Sequence, residues 1–117
     1  MNTEIFEQLA AEVDESRLIH NLSTMISTPS VNPFDDEISD DCREQEFADL
    51  YEDQLASLGL ETERRNVAPG RPNLFGRLFG KDRNKCVMLA GHMDTVGVDG
   101  YDDPFNPVVK DLSLIHI

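Results

Sequence analysis

The segment VMLAGHMDTV, residues 87–96, joins an apolar run to a histidine and a carboxylate two positions apart. A short continuous apolar run bounded by turn residues is the signature of a strand buried on both faces. Residues 85–91, KCVMLAG, are therefore expected to be the most apolar and central strand of a sheet. In extended backbone, residues i and i+2 share a face, so His92 and Asp94 are expected to look toward one site. A neutral imidazole can donate a ring-nitrogen lone pair to a divalent metal. A metal-bound histidine usually gives its other N–H to a carboxylate that orients it, and Asp94 stands where that carboxylate is needed. Gly91 is expected to let the backbone turn there, at the strand mouth where open α/β sheets bind ligands. The pair alone is a weak signal and reads first as a surface histidine bonded to its neighbour, because a catalytic zinc needs about three protein ligands.

Working outward, the pattern before this segment is helical and then extended. Ile5, Phe6, Leu9 and Val13, then Leu18, Ile19, Leu22, Met25 and Ile26, fall at helical spacing over residues 3–27. A break is expected near residues 13–15, with Asp14 capping the second helix. Pro29 and Pro33 end the helical run. After the acidic loop DDEISDD, Asp41 and Glu44 have the spacing of a capping box. Phe47, Leu50, Tyr51, Leu55 and Leu58 mark the buried stripe of the next helix, which Gly59 should end. The period then drops toward two: LETERRNV reads as an exposed strand, APGRPN as a turn, and NLFGRLFG as a second strand with a bulge at Gly76. The expected fold class is α/β, with N-terminal helical segments followed by at least three strands of a mixed sheet.

Size and charge exclude several functions. The chain has 117 residues, 39% hydrophobic and 28% charged, as in globular proteins. Folding at this length buries roughly 65% of the unfolded surface, a modest core. A net charge of −13 opposes nucleic acid and anionic membranes as partners. No apolar run reaches the roughly 20 residues of a membrane span, and the acidic amphipathic start is not the pattern expected of a signal peptide. Cys42 and Cys86 form no Cys-x-x-Cys pair, so a reduced cytoplasmic protein is expected.

Four segments carry a resemblance: SVNPF (30–34), APGRPNLFGRL (68–78), VMLAGHMDTV (87–96) and DDPFNPVVKD (102–111). In this order they resemble the N-terminal region of the co-catalytic zinc peptidases and deacylases. That group includes acetylornithine deacetylase, succinyl-diaminopimelate desuccinylase, aminoacylase and related carboxypeptidases. The resemblance spans about residues 14–111. It implies that His92 is a zinc ligand and that Asp94 orients it. It implies two zinc ions in a full-length parent (cobalt or manganese being alternatives) and hydrolysis of N-acyl amino acids or small peptides. It further implies an α/β catalytic domain with an inserted lid or dimerisation domain, and so a homodimeric parent. The family's usual proline after H-x-D-x-V is here Gly97.

The same resemblance implies what residues 1–111 lack. A metal-bridging aspartate, a Glu-Glu pair with the general base, the remaining ligands and the lid domain are expected beyond Asp111. From that point the chain reads LSLIHI, residues 112–117. This hexapeptide can be encoded by CTG TCT CTT ATA CAC ATC, the mosaic end of transposase-based sequencing adapters. Residues 112–117 are thus expected to be a non-native read-through tail, which gives His116 no role and makes the fragment itself inactive. His20 is read as a helix residue. Asp35, Asp36, Glu37, Asp40 and Asp41 lack calcium-loop spacing. Asp99, Asp102 and Asp103 are read as loop solvation flanking the site. Two other classes stay open: a non-catalytic binding or regulatory remnant of the same fold, and an acidic interaction domain with His92 and Asp94 incidental.

Overall fold

The computed structural model describes residues 3–34 and 38–110 in full, and the main chain of 113–115. The chain divides into two units, residues 28–101 and a second made of 1–27 with 102–117. Both helices and strands are present, but not as one mixed sheet.

In the first unit, a short extended piece, Ser30–Val31–Asn32, lies between two other segments. Ser30 bridges Cys42 in antiparallel sense and Val31 bridges Thr95 in parallel sense. The Val31 N–H donates to the Asp41 carbonyl at 2.9 Å, the Asn32 N–H to the Thr95 carbonyl at 2.9 Å, and the Thr95 N–H to the Ser30 carbonyl at 2.9 Å. Ser30 and Val31 are buried, as is Pro29. Every backbone group so used is satisfied without regular secondary structure, as burial requires.

In chain order the helices are α1 (Thr3–Ala11), α2 (Glu15–Ile26) and α3 (Glu44–Ser57), of which α3 lies within residues 28–101. The expected capping box at Asp41 does not form. Arg43 is the N-cap of α3 and makes no side-chain cap bond. Asp40 and Asp41 instead lie in a turn that the Cys42 N–H closes on the Ser39 carbonyl at 3.1 Å, and the Asp41 carbonyl and Cys42 pair with residues 30–31. Glu44, the intended box partner, turns its carboxylate to Arg71 instead.

The C-terminus of α3 closes as sequence predicts. Gly59 has φ +81°, a conformation that costs other L-residues energy. Its N–H donates to the Ala56 carbonyl at 2.9 Å, and the Leu60 N–H to the Leu55 carbonyl at 3.1 Å. These are the two bonds of a Schellman motif, whose apolar partners are Leu55 and Leu60.

Strands β1 (Glu61–Ala68) and β2 (Arg71–Arg77) form an antiparallel hairpin around Pro69 and Gly70. Gly70 has φ +71°, which suits glycine after proline in a tight turn. The register irregularity falls between Asn66 and Ala68; Gly76, expected to be the bulge, stays in register opposite Thr62. Its role is close approach. A Cβ at Gly76 would lie 2.9 Å from Leu60 Cδ2 and 3.0 Å from Leu55 Cδ1, so the hairpin seats the Schellman pair on a bare backbone. Helix α3 packs on this hairpin and buries Ala48 completely, a residue outside the expected stripe, whose own members are half-buried except Leu58, which is exposed. Arg64 of β1 fixes the contact by donating to Asp49, Glu52 and the Ala48 carbonyl.

The expected third strand, residues 85–91, is not a strand. Among the described residues no segment pairs with it, and Val87, Met88 and Leu89 are exposed. An apolar run becomes a strand only when neighbours take up its N–H and C=O groups. The expected mixed sheet is therefore replaced by two separate antiparallel pairs.

In the second unit Asp14 caps α2, accepting from the Arg17 N–H at 3.0 Å and from the Ser16 hydroxyl at 2.7 Å. Strand β3 (Val108–Lys110) pairs antiparallel with β4 (Ser113–Ile115). Asp35, Asp36, Glu37, Asp111 and His116, discussed above from sequence, lie outside the described residues. Among the described residues no helix is long and apolar enough to cross a membrane.

The Gly76 contact is directly testable. Gly76→Val should lower the unfolding free energy by about 1–3 kcal/mol through overpacking, read as a lower urea midpoint by circular dichroism. An unchanged midpoint would mean that Leu55 and Leu60 do not pack on this strand.

Candidate functional site

The loop that carries His92 and Asp94 is held by the Ser30–Asn32 segment. The Ser30 hydroxyl, on a residue only 2% exposed, donates to the Met93 carbonyl at 2.7 Å. With the main-chain bonds to Thr95, this fixes residues 93–95 on either side of Asp94. Two further side chains then converge on one carboxylate oxygen. Asn32 Nδ2 donates to Asp94 Oδ2 at 2.5 Å, and Arg71 Nη2 donates to the same oxygen at 3.2 Å. The amide of Asn32 is oriented by its other end, since Oδ1 accepts the Phe34 N–H at 2.8 Å. Arg71 is oriented likewise, since its Nε donates to Glu44 Oε2 at 2.8 Å.

The other oxygen of Asp94 faces His92. His92 Nδ1 lies 2.7 Å from the Asp94 carbonyl and 3.1 Å from Asp94 Oδ1. Both neighbours are acceptors, so Nδ1 must carry the proton and donate. In the neutral ring the lone pair is then on Nε2. The His92 side chain is 85% exposed, and that of Asp94 23%. The arrangement can thus present one imidazole nitrogen to a ligand with the opposite nitrogen tied down.

The electrostatics follow from these contacts. The Asp94 carbonyl, then its carboxylate, push the His92 pKa above the ordinary imidazole value. Burial pushes the Asp94 carboxyl up, but the hydrogen bonds from Asn32 and His92 outweigh it and hold the pKa below the usual carboxylate range. Glu44, and less strongly Asp94, push Arg71 further up. The linkage sign for His92 is that of a raised base. Its protonation favours the folded arrangement below the ordinary imidazole range, and that contribution is lost as pH rises through the raised pKa.

His92 and Asp94 meet, as their spacing predicts. Their support differs from the expected one. The expected strand mouth is a loop that follows unpaired chain. Gly91 does not occupy positive φ, and a Cβ there would meet only open space, so no sharp glycine turn is needed. Asn32, Arg71 and Glu44 were not recognised as a group. The available signal was two polar residues inside the segments SVNPF and APGRPNLFGRL, far apart in sequence. His20 sits exposed on α2. Cys42 and Cys86 are free thiols. An open depression lined by Ser39, Asp40, Asp41, Arg43 and Glu46 contains neither His92 nor Asp94.

The donor set fits one metal-ligand position, not a whole centre. Among the described residues no three His, Cys, Asp or Glu side chains gather to hold an ion, whereas a catalytic zinc takes about three. Asp94 is itself occupied by three donors, which leaves it an orienting group. Comparison with protein-family models, curated proteins and solved structures returned no match.

Asp94→Asn should lower the His92 pKa, because the negative charge leaves while the Asp94 main-chain carbonyl stays. The value should remain above that of an unhindered imidazole. An NMR pH titration of the His92 ring protons measures this; an unchanged midpoint would contradict the contact.

Proposed function

We propose that this chain carries the N-terminal part of a metal-dependent amide hydrolase acting on N-acyl amino acids or small peptides. In this reading His92 is a metal-ligand histidine and Asp94 its orienting carboxylate. The observation that supports it is the one-sided imidazole: Nδ1–H is taken up by Asp94, and Nε2 is left on an exposed ring. The resemblance of the four sequence segments supplies the reaction class.

The metal in this reading is zinc, with cobalt or manganese also suited to an imidazole; when bound, such an ion polarises a scissile carbonyl and acidifies a water. The residues present do the orienting. Asp94 holds the His92 ring in the tautomer that leaves Nε2 free, and Asn32 and Arg71 hold Asp94. The remaining ligands, the general base and a lid or dimerisation domain are proposed to belong to a longer parent, a cytoplasmic homodimer. Residues 1–111 are proposed to belong to its catalytic domain.

A second reading has its own support. In a non-catalytic binding or regulatory remnant of the same fold, His92 would be a surface residue bonded to its neighbour Asp94, a contact the chain makes by itself. The two readings separate on the source DNA. Resequencing across codon 111 from an adapter-free clone should reveal a glycine-rich loop, an aspartate and later a Glu-Glu pair in frame. A genomic LSLIHI followed by a stop codon would instead leave the remnant.

In the parent, Asp94→Ala should reduce metal affinity or turnover by about 10–100-fold, as losses of an orienting partner do. Zinc content by atomic emission and hydrolysis of an N-acetyl amino acid are the two readouts. Unchanged values for both would remove Asp94 from the site. Failure of the folded parent to retain zinc would favour the acidic interaction domain. Zinc uptake should also weaken as pH falls through the raised His92 pKa, because the proton competes for Nε2.

A further inference from the structure

We infer that Arg71 is a positioning residue: bound to Glu44 and Asp94 at once, it holds the Asp94 carboxylate in the rotamer that points Oδ1 at His92. This deepens the reading of His92 and Asp94 as a ligand and its orienter, but its test needs no metal.

The geometry is that of a relay across three segments. Glu44 is the first residue of α3, Arg71 the first residue of β2, and Asp94 lies in the loop tied to Ser30–Asn32. One guanidinium reaches both carboxylates, Nε to Glu44 Oε2 at 2.8 Å and Nη2 to Asp94 Oδ2 at 3.2 Å. A guanidinium presents donors in a rigid planar fork, so anchoring Nε on Glu44 fixes where Nη2 can point. The Glu44 side chain is 13% exposed and that of Asp94 23%, so water competes little at either end. Asn32 Nδ2 shares Oδ2 with Arg71. Two donors on one oxygen anchor the carboxyl group and so hold the χ1 well that keeps its other oxygen beside His92. Without them the side chain can leave that well, and only the main-chain carbonyl of Asp94 would still orient the ring.

A purely structural role for Arg71 predicts something different. Arg64 also joins α3 to the hairpin, through Asp49, Glu52 and the Ala48 carbonyl, and it touches neither Asp94 nor His92. It is therefore the control for loosened packing.

The experiment uses the full metal-free chain, labelled with 15N and 13C, at a pH where His92 is neutral. Three-bond couplings read the Asp94 χ1 rotamer, and long-range 1H–15N spectra read which His92 nitrogen carries the proton. The wild type should show one Asp94 rotamer and a protonated Nδ1. Arg71→Met should average the Asp94 rotamer and shift His92 toward the Nε2–H form. Arg71→Lys, which keeps the charge but not the fork, should shift both readouts partway, and it serves if Arg71→Met does not fold. Arg64→Met should leave both readouts as in the wild type. The inference is overturned if Arg71→Met and Arg71→Lys leave both readouts unchanged. It is equally overturned if Arg64→Met moves them as far, or if the wild type already averages. Averaging at Asp94 with His92 unmoved would overturn the relay to the ring. Zinc retention by the longer parent tests the metal reading separately, since a held rotamer in this chain with no zinc held by the parent would fail only that reading.

Discussion

The contact on which the rest of unit 28–101 depends is the threading of Ser30–Val31–Asn32 between residues 41–42 and 93–95. Three main-chain bonds of 2.9 Å and one buried serine hydroxyl make it. It is small, yet it joins two segments more than fifty residues apart in sequence, and Val31 is one of two buried hydrophobic residues among those described, Ala48 being the other. With so little apolar burial, polar contacts set the local geometry. Their worth comes from exclusion of water at Ser30 and from shared donors at Asp94, because exposed ion pairs alone contribute little.

This threading also explains how a loop can hold the His92–Asp94 pair. The His92–Asp94 segment is preceded by the unpaired run 85–91, so no sheet positions it. It is held from the far side instead, by Ser30 on Met93, by residues 30–32 on Thr95, and by Asn32 and Arg71 on Asp94. A loop anchored on both sides of a carboxylate can fix an imbalance between the two nitrogens of a neighbouring histidine. That asymmetry, more than the motif itself, is what a metal-ligand histidine requires.

Local features were legible in the sequence where one residue decides them. Asp14 caps α2, Gly59 ends α3, and Pro69–Gly70 turns the hairpin, each because its own side chain or φ angle dictates the outcome. Features that depend on distant partners were not legible. Residues 85–91 have the composition of a central strand, but strand formation belongs to the pair, and no described segment takes the other side. The capping box at Asp41 lost to pairing with Val31, and Glu44 lost its box role to Arg71, 27 positions away. The His92–Asp94 contact was readable because it is local, with period two; the Asn32–Asp94–Arg71–Glu44 network was not, because it exists only after the chain has folded.

Native-state hydrogen exchange of the Val31, Asn32 and Thr95 amides tests the account most directly. If the threaded segment is the structural centre, these three amides are protected and open together with one free energy, while the amides of residues 86–89 exchange at the rate of unstructured chain. Exchange of Val31, Asn32 and Thr95 as fast as that of residues 86–89 would contradict the account, because the loop carrying Asp94 would then have no main-chain anchor.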